Sequence, residues 1–442
     1  MLVATLLVIL MYGCLCISMA ELATLMPFSG GVYGFARAAL GPWGGLIAGI
    51  SQIIEYQLAL STIVVAIGLG LASVIKELTG ISVPSPLLWA IVIAIFLALN
   101  SWDTKLFFRS AVFLSIAPLV VLAAFWYLAI PEFDISYLLH TTTNMDGSSF
   151  LPNGLVGIAW ALPFAIWFFL SIEIVTLAGE ETRDPQKNIP RSFLWAFLIL
   201  TVAALATLFL NAGIPPGVEK IGSSDAPLLL GFQTLIGNRI PSAVLILMIL
   251  IGSIASFHST IYAAGRGIYS LARAGYLPAV IAKKSKNHNT PYVALIIVAA
   301  LTFLLSAGTL LLQNEASAIG IFLNMSVLGA ILSYSLTLIS FIILRCRYPK
   351  TSRPYTSPLG VTGAITGLLI AAFTLLLMFT NTGYRVGLLG CIVIYCLGAL
   401  TYKLGKRSQN LDAPEEAFAI ALKCNEFPKK SHSTQSVGEE VL

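Results

Sequence analysis

The chain has 442 residues, of which 57% are hydrophobic and only 10% are charged, and its mean hydropathy is +0.90. A soluble domain carries about 25% charged residues, so this composition excludes an ordinary soluble protein and predicts a multi-pass membrane protein. The formal net charge is +5. In such a chain the sign reflects where the basic loops lie, so we predict the lipid bilayer as a partner and no nucleic acid.

Apolar segments of spanning length, about 20 residues, follow one another along the chain. Backbone polar groups inside a bilayer must be satisfied within the segment, so each is predicted to be a helix. The sequence therefore predicts an all-α polytopic protein whose residues 1–404 form one transmembrane domain. The eleven predicted helices cover residues 1–26, 42–75, 86–101, 109–131, 155–178, 191–212, 241–270, 292–312, 316–344, 361–380 and 384–402.

The basic residues predict an orientation. If the loops alternate across the membrane, 21 of the 25 lysines and arginines lie on one side together with the C-terminus. The positive-inside rule makes that side cytoplasmic, which predicts a protein of the inner (plasma) membrane. With eleven helices, Met1 is then external, and our interpretation is that a first helix, entering from the cytoplasm, is absent from this chain. The polar segment 405–442 is predicted to be a disordered cytoplasmic tail.

Three ionisable residues lie deep within the apolar segments, away from their ends: Glu55, Glu173 and His258. A charge at the centre of a spanning helix costs about 2.5–3.5 kcal/mol on insertion scales, so such residues face the bundle interior, a partner or water. Pro163 and several aromatic residues precede Glu173, so the helix is predicted to kink or open there. A carboxylate, freed carbonyls and ring faces would suit a small ammonium cation. Alternatively, each of the three is a structural polar residue paired inside the bundle.

No phosphate loop, metal-ligand spacing or nucleophile triad is present, and the six cysteines follow no ligand pattern. The sequence therefore predicts neither an enzyme nor a cofactor. The cysteines are interpreted as packing residues.

Three ordered motifs carry a family resemblance: "ELATLMPFSGGVYGFARAALG", "GEETRDPQKNIPRS", and "GRGIYSLARAGYLP" followed by "NTPYVALI". They resemble the amino acid-polyamine-organocation (APC) superfamily of permeases, and most closely its bacterial ethanolamine permeases. The resemblance implies a leucine-transporter-type bundle of two inverted five-helix repeats and two further helices, twelve in all. Met1 falls on the second of these, so the resemblance also implies that the first is missing.

The same resemblance implies a site. The family's unwound region of the sixth helix falls on Trp167, Phe168, Phe169, Leu170 and Ser171. Glu173 falls on an acid implicated in proton sensing in arginine/agmatine antiporters, and His258, Ser259 and Thr260 fall on cavity-facing positions. With Glu55, these residues form the predicted substrate site. Some relatives carry a lysine in the family's fifth helix, where sodium would otherwise bind, but residues 110–131 contain none. No coupling ion or oligomeric state is assigned.

The sequence thus predicts a permease that moves a small primary amine by alternating access. Ethanolamine is the first candidate substrate. A permease for a neutral or cationic amino acid is the first alternative. A truncated or non-transporting membrane sensor is the second.

Overall fold

The computed structural model describes residues 1–102, 104–139, 154–224, 226–285, 290–311, 315–380, 384–404 and 413–424. All regular structure in these ranges is helical. The α-helices are α1 Leu2–Leu25, α2 Gly31–Thr79, α3 Ser85–Trp102, α4 Thr104–Ala129, α5 Ile135–Leu139, α6 Gly154–Trp167, α7 Ile174–Leu177, α8 Pro185–Ala212, α9 Val218–Gly222, α10 Pro227–Ile236, α11 Ser242–Arg273, α12 Tyr292–Gly308, α13 Glu315–Arg347, α14 Gly360–Thr380, α15 Arg385–Leu404 and α16 Pro414–Lys423.

Within the described ranges, ten helices are long and apolar enough to cross a membrane. They correspond to ten of the eleven predicted segments, which confirms the all-α polytopic class. The remaining segment, 155–178, forms two shorter helices, α6 and α7, with a non-helical turn between them. The inverted-repeat relationship between the helices stays a prediction.

Helix α2 begins earlier than predicted and is not continuous. It runs for 49 residues, but Gly41 has φ 80° and ψ −167° and divides it before Pro42. Residues 42–79 form the spanning part, and residues 31–40 form a separate helical arm. We call the end of the bundle that carries this arm, with Arg37, Arg266 and Arg273, the basic end. A tight turn lies at the start of the arm, where Gly31 has φ 49°.

The spanning part of α2 is the central element of the bundle. It packs against α13 on one side and α11 on the other. One core cluster joins α1, α6, α8, α13 and α14, and a second joins α2, α3, α11 and α12. Side chains of α2 belong to both clusters, so α2 places its polar residues between the two halves of the core.

The break after α6 lies at residues 168–173, not at Pro163. Pro163 is inside α6, and the helix continues past it to Trp167. Ser171 adopts φ 68°, a left-handed conformation that is costly for a residue with a side chain and that cannot continue a right-handed helix. The predicted opening just before Glu173 is therefore present, and it overlaps residues 167–171, the segment that the family resemblance implied.

The C-terminal segment departs from its prediction. Residues 414–423 form helix α16; its Ala419 and Leu422 are buried, and so is Ala413 at its N-cap. The prediction that the tail from residue 405 onward is disordered is therefore wrong for residues 413–424. Residues 405–412 and 425–442 lie outside the described ranges.

Candidate functional site

Two buried carboxyls meet at one tyrosine hydroxyl in the centre of the bundle. The Oη atom of Tyr334 on α13 is 2.8 Å from Glu55 Oε1 and 2.8 Å from Glu173 Oε2. The side chains of all three residues are completely buried. Glu55 lies in the middle of α2, and Glu173 lies at the end of the break before α7. The arrangement therefore joins α2, α13 and the broken helix, and we call it the carboxyl pair.

The two contacts of the Tyr334 hydroxyl set a minimum number of protons on the carboxyl pair. A tyrosine hydroxyl carries one hydrogen, so Tyr334 can donate it to only one of its two carboxyl neighbours. The other short contact then needs a hydrogen from a carboxyl group. The arrangement therefore holds at least one proton on Glu55 or Glu173. Within the described residues, neither carboxyl has a basic side chain as an ion-pair partner.

Close packing of α13 on α2 brings Tyr334 to Glu55. A Cβ atom at Gly329 would lie 2.8 Å from the backbone nitrogen of Glu55 and 2.8 Å from the carbonyl oxygen of Ser51, so only glycine allows this approach. Ser326 donates a hydrogen bond of 2.7 Å to the carbonyl oxygen of Glu55. Small residues at such contacts are how helices approach each other in membranes. Gly329 and Ser326 therefore fix the register of the two helices.

The break supplies backbone acceptors beside the carboxyl pair. The amide of Ser171 donates to Tyr334 Oη at 3.3 Å, which anchors the turn. The carbonyl oxygens of Phe168, Phe169 and Leu170 accept no hydrogen bond from any described residue. Freed carbonyls at membrane depth are tolerated only where they face protein or a cavity. They add acceptors close to Glu173.

Aromatic rings cover one side of the carboxyl pair. The ring of Tyr12 on α1 lies 5.2 Å from that of Phe169 and 5.4 Å from that of Tyr334, between centroids. Phe169 is completely buried and Trp167 is partly buried, but Phe168 is 38% exposed. The ring of Phe168 is therefore not part of this buried cover, and its place in the substrate site stays a prediction. Its carbonyl remains at the break.

His258 lies in a separate polar cluster. Its Nδ1 is 3.2 Å from Asn100 Nδ2 and its Nε2 is 2.9 Å from Ser110 Oγ, and the ring packs on Phe107. This histidine joins α3, α4 and α11 and makes no contact with the carboxyl pair among these partners. Ser259 and Thr260 donate to carbonyls of their own helix, at Ala255 and Ser256. The structure therefore does not bring this predicted trio to Glu55 and Glu173.

A narrow pocket lies beside the carboxyl pair, toward the basic end. One wall comes from α2 and the other from α11; the lining residues are Gln52, Ile53, Tyr56, Gln57, Ala264, Gly267 and Ile268. Gln52 Nε2 donates to Tyr56 Oη at 3.2 Å. Because Tyr56 follows Glu55 directly in α2, the pocket reaches the same level of the bundle.

Ion pairs close the basic end below Glu173. Arg266 pairs with Glu181, and Arg273 pairs with Glu180 at 2.9 Å. Glu180 also accepts a 3.0 Å hydrogen bond from the amide of Ser29. Burial opposes ionisation of Glu180, but the hydrogen bond and charge of Arg273 lower its pKa overall. Burial raises the pKa of Glu181, although Arg266 partly offsets the effect.

Tyr334 and Tyr12 were missed in the sequence, although a signal existed for Tyr334. Helix α13 carries polar residues at a helical spacing within its apolar sequence, and they are all fully buried. A polar stripe of this kind marks the face of a membrane helix that meets other helices rather than lipid. The stripe consists of Ser326, Ser333, Tyr334, Thr337 and Ser340.

A bundle of spanning helices, one of them broken beside a buried polar site, defines a membrane transporter. Among the described residues, no group of His, Cys, Asp or Glu could hold a metal ion. The sequence profile of the amino acid permease family matches residues 1–407, and the chain belongs to this family. It is a multi-pass, permease-type secondary transporter of small molecules and not an enzyme.

Relatives in this family are distant and diverse. The branched-chain amino acid permease of Bacillus subtilis (strain 168) is 27% identical, over 89% of this chain and 83% of its own length. The gamma-aminobutyric acid permease of Escherichia coli (strain K12) is 28% identical, over 65% and 61% respectively. The methylthioribose transporter of Bacillus subtilis (strain 168) is 23% identical, over 89% and 82%. Family membership alone therefore does not decide the substrate.

Proposed function

We propose that this permease carries a small molecule with a primary ammonium group by alternating access, with ethanolamine as the first candidate. One observation carries the proposal. Glu55 Oε2 and Glu173 Oε1 are buried and have no hydrogen-bond partner among the described residues. Unsatisfied buried acceptors are costly, and an ammonium group brings both a positive charge and three N–H donors. Such a group would satisfy both oxygens.

The surroundings of the carboxyl pair support a cation in particular. The ring of Tyr12 lies beside those of Tyr334 and Phe169, and aromatic faces attract ammonium groups. The carbonyls of Phe168 to Leu170 provide further acceptors. A carboxylate of a zwitterionic substrate would need donors or a positive charge, and no basic side chain pairs with Glu55 or Glu173 in the described part of the chain. This balance favours an amine without a carboxylate.

The carboxyl pair can bind a proton when the amine is absent. The hydrogen count at Tyr334 requires at least one proton on the carboxyl pair. An arriving ammonium group would replace that proton and keep the local charge low. Proton release on binding is therefore part of the proposal. We further propose that the basic end is cytoplasmic, as the positive-inside rule predicts, and that the amine enters from the opposite end.

The amino acid alternative rests on the relatives, since two of the three described above are named for amino acids. Competition separates the two. Proteoliposomes containing the 442-residue chain are given radiolabelled ethanolamine with unlabelled ethanolamine, leucine, gamma-aminobutyric acid or ethylene glycol. The proposal expects uptake that unlabelled ethanolamine reduces and ethylene glycol does not. Absence of ethanolamine uptake, with uptake of a labelled amino acid, would replace ethanolamine by that amino acid; equal competition by ethylene glycol would contradict ammonium recognition.

A further inference from the structure

Helix α16 is a short surface helix that buries two acids. Glu415 is 2% exposed and Glu416 is completely buried. Charged side chains are almost never fully buried unless they are paired. The partners of the two glutamates lie far away in the sequence, on α2 and α11, so α16 is held by non-local contacts.

Glu416 forms an ion pair with the helical arm of α2. Arg37 Nε lies 2.8 Å from Glu416 Oε1 and Arg37 Nη2 lies 2.5 Å from Oε2, a two-pronged arrangement that suits the planar guanidinium. Tyr33 also donates to Glu416 Oε1, at 3.1 Å. Arg37 is 4% exposed. The contact is therefore a desolvated ion pair, and removing one partner would leave a buried, uncompensated charge.

Glu415 reaches the other wall of the basic end. It pairs with Arg273 at the end of α11, and the same guanidinium pairs with Glu180 after the broken helix. Arg273 thus links α16 to the segment Gly179–Glu181. Phe418 adds an apolar contact, with its ring 6.0 Å from that of Phe28.

The segments joined by α16 are those that cover the carboxyl pair from the basic end. A Cβ atom at Gly179 would lie 3.1 Å from the backbone of Pro27, and one at Gly31 would lie 2.8 Å from the Thr176 hydroxyl. The chain leaving Glu173 is therefore wedged against residues 27–31. A route from Glu173 to the basic end must separate these segments.

We infer that α16 is an intramolecular lock: while it is docked on Arg37 and Arg273, the basic end stays closed, and its release allows that end to open. The lock uses no residue of the carboxyl pair. The inference goes beyond the proposed function and holds whichever small molecule the permease carries. It also assigns a role to the adjacent acids Glu415 and Glu416.

Hydrogen exchange of the purified full chain in detergent or nanodiscs tests the lock without any substrate. Glu416→Gln removes the charge that holds Arg37. The amides of residues 28–37 and 176–182 are expected to exchange about tenfold faster or more, because breaking a buried ion pair strongly favours local opening. Residues 60–70, in the opposite half of α2, are expected to remain unchanged. Ala417→Gln, on the exposed face of the same helix, is the matched control and should change neither region.

A double variant with the two charges swapped distinguishes loss of the ion pair from misfolding. Arg37→Glu combined with Glu416→Arg restores a pair of opposite charge across the same contact and should recover at least part of the lost protection. Two results would overturn the lock. One is unchanged exchange at residues 28–37 and 176–182 in Glu416→Gln. The other is equal acceleration at residues 60–70, which would show general destabilisation rather than release of one end.

Discussion

Gly329 of α13 and Glu55 of α2 lie in backbone contact: a Cβ atom at position 329 would be 2.8 Å from the Glu55 amide nitrogen. Tyr334, further along α13, donates to or accepts from the carboxyl of the same glutamate. The close approach and the hydrogen bond are consequences of one packing register. The carboxyl pair therefore depends on the absence of a side chain at residue 329.

Gly329→Ala should damage the site from a distance. The added methyl group meets backbone atoms of Ser51 and Glu55, which cannot rotate away, so α13 and α2 must move apart. We expect a loss of about 1–3 kcal/mol in the free energy of unfolding and a marked fall in uptake. Thermal unfolding and proteoliposome uptake measure the two effects. Gly320→Ala, on the same helix with nothing within 4 Å of the new methyl group, is the control and should keep both near the wild-type value.

Glu173→Gln and Glu55→Gln should each weaken amine binding about thirtyfold or more, because removing one member of a buried charge contact costs about 2–5 kcal/mol. The amide keeps the size of the side chain but not its charge. Glu77→Gln changes an exposed glutamate at the far end of α2 and should leave uptake intact. If all three variants transport alike, the two buried carboxyls serve only packing.

Tyr334→Phe should uncouple proton release from amine binding. The ring stays and the hydroxyl that bridges the carboxyls is lost, so the proton is no longer shared. In weakly buffered solution, a pH indicator should report release of protons by wild-type protein when the amine is added, and less release by the variant. Tyr127→Phe, whose ring is 79% exposed on α4, should behave as wild type. Identical release from both variants would contradict the shared proton.

Acidification should strengthen the docking of α16. Burial raises the pKa of Glu415, with partial opposition from Arg273. A carboxyl whose pKa is higher in the docked state binds protons more tightly there, so docking is favoured as the pH falls through the raised pKa toward the ordinary value. Glu180, whose pKa lies below its ordinary value because of Arg273, contributes with opposite sign and only at lower pH.

The measurement is hydrogen exchange of residues 28–37 at several pH values, corrected for the intrinsic rates. Protection should grow from neutral pH down to mildly acidic pH. Glu415→Gln removes the titrating group and should make protection nearly independent of pH in that window. Protection that falls on acidification of the wild-type chain would reverse the sign and contradict this reading of Glu415.

The apolar segments were sufficient to predict the spanning helices, because hydropathy at that length leaves few alternatives. Hydropathy was not sufficient to predict where α2 begins. Gly41 and Pro42 look like the start of the helix, but they only divide it. The break before Glu173 was foreseen, but its anchor was not: the turn at Ser171 is held by Tyr334 of a distant helix. A contact between residues so far apart leaves no local pattern.

Contacts between residues remote in the sequence also limited the prediction of the site. Glu55 and Glu173 stood out because carboxylates are rare in apolar segments, whereas Tyr334 counts as hydrophobic and was passed over. His258 stood out equally and proved to lie in another cluster, since the sequence does not tell which helices its neighbours belong to. Helix α16 was missed because its ten residues are too few for a stable helix in water, and its partners Arg37 and Arg273 are remote.

Ligand-induced stabilisation tests ammonium recognition by the carboxyl pair most directly. Thermal unfolding of the purified chain is followed with ethanolamine, leucine or ethylene glycol, in the wild type and in Glu173→Gln and Glu77→Gln. Binding to the folded state raises the unfolding temperature by mass action. The account predicts a rise with ethanolamine but not with ethylene glycol, lost in Glu173→Gln and retained in Glu77→Gln. An equal rise with ethylene glycol, or a full rise with ethanolamine in Glu173→Gln, would contradict it.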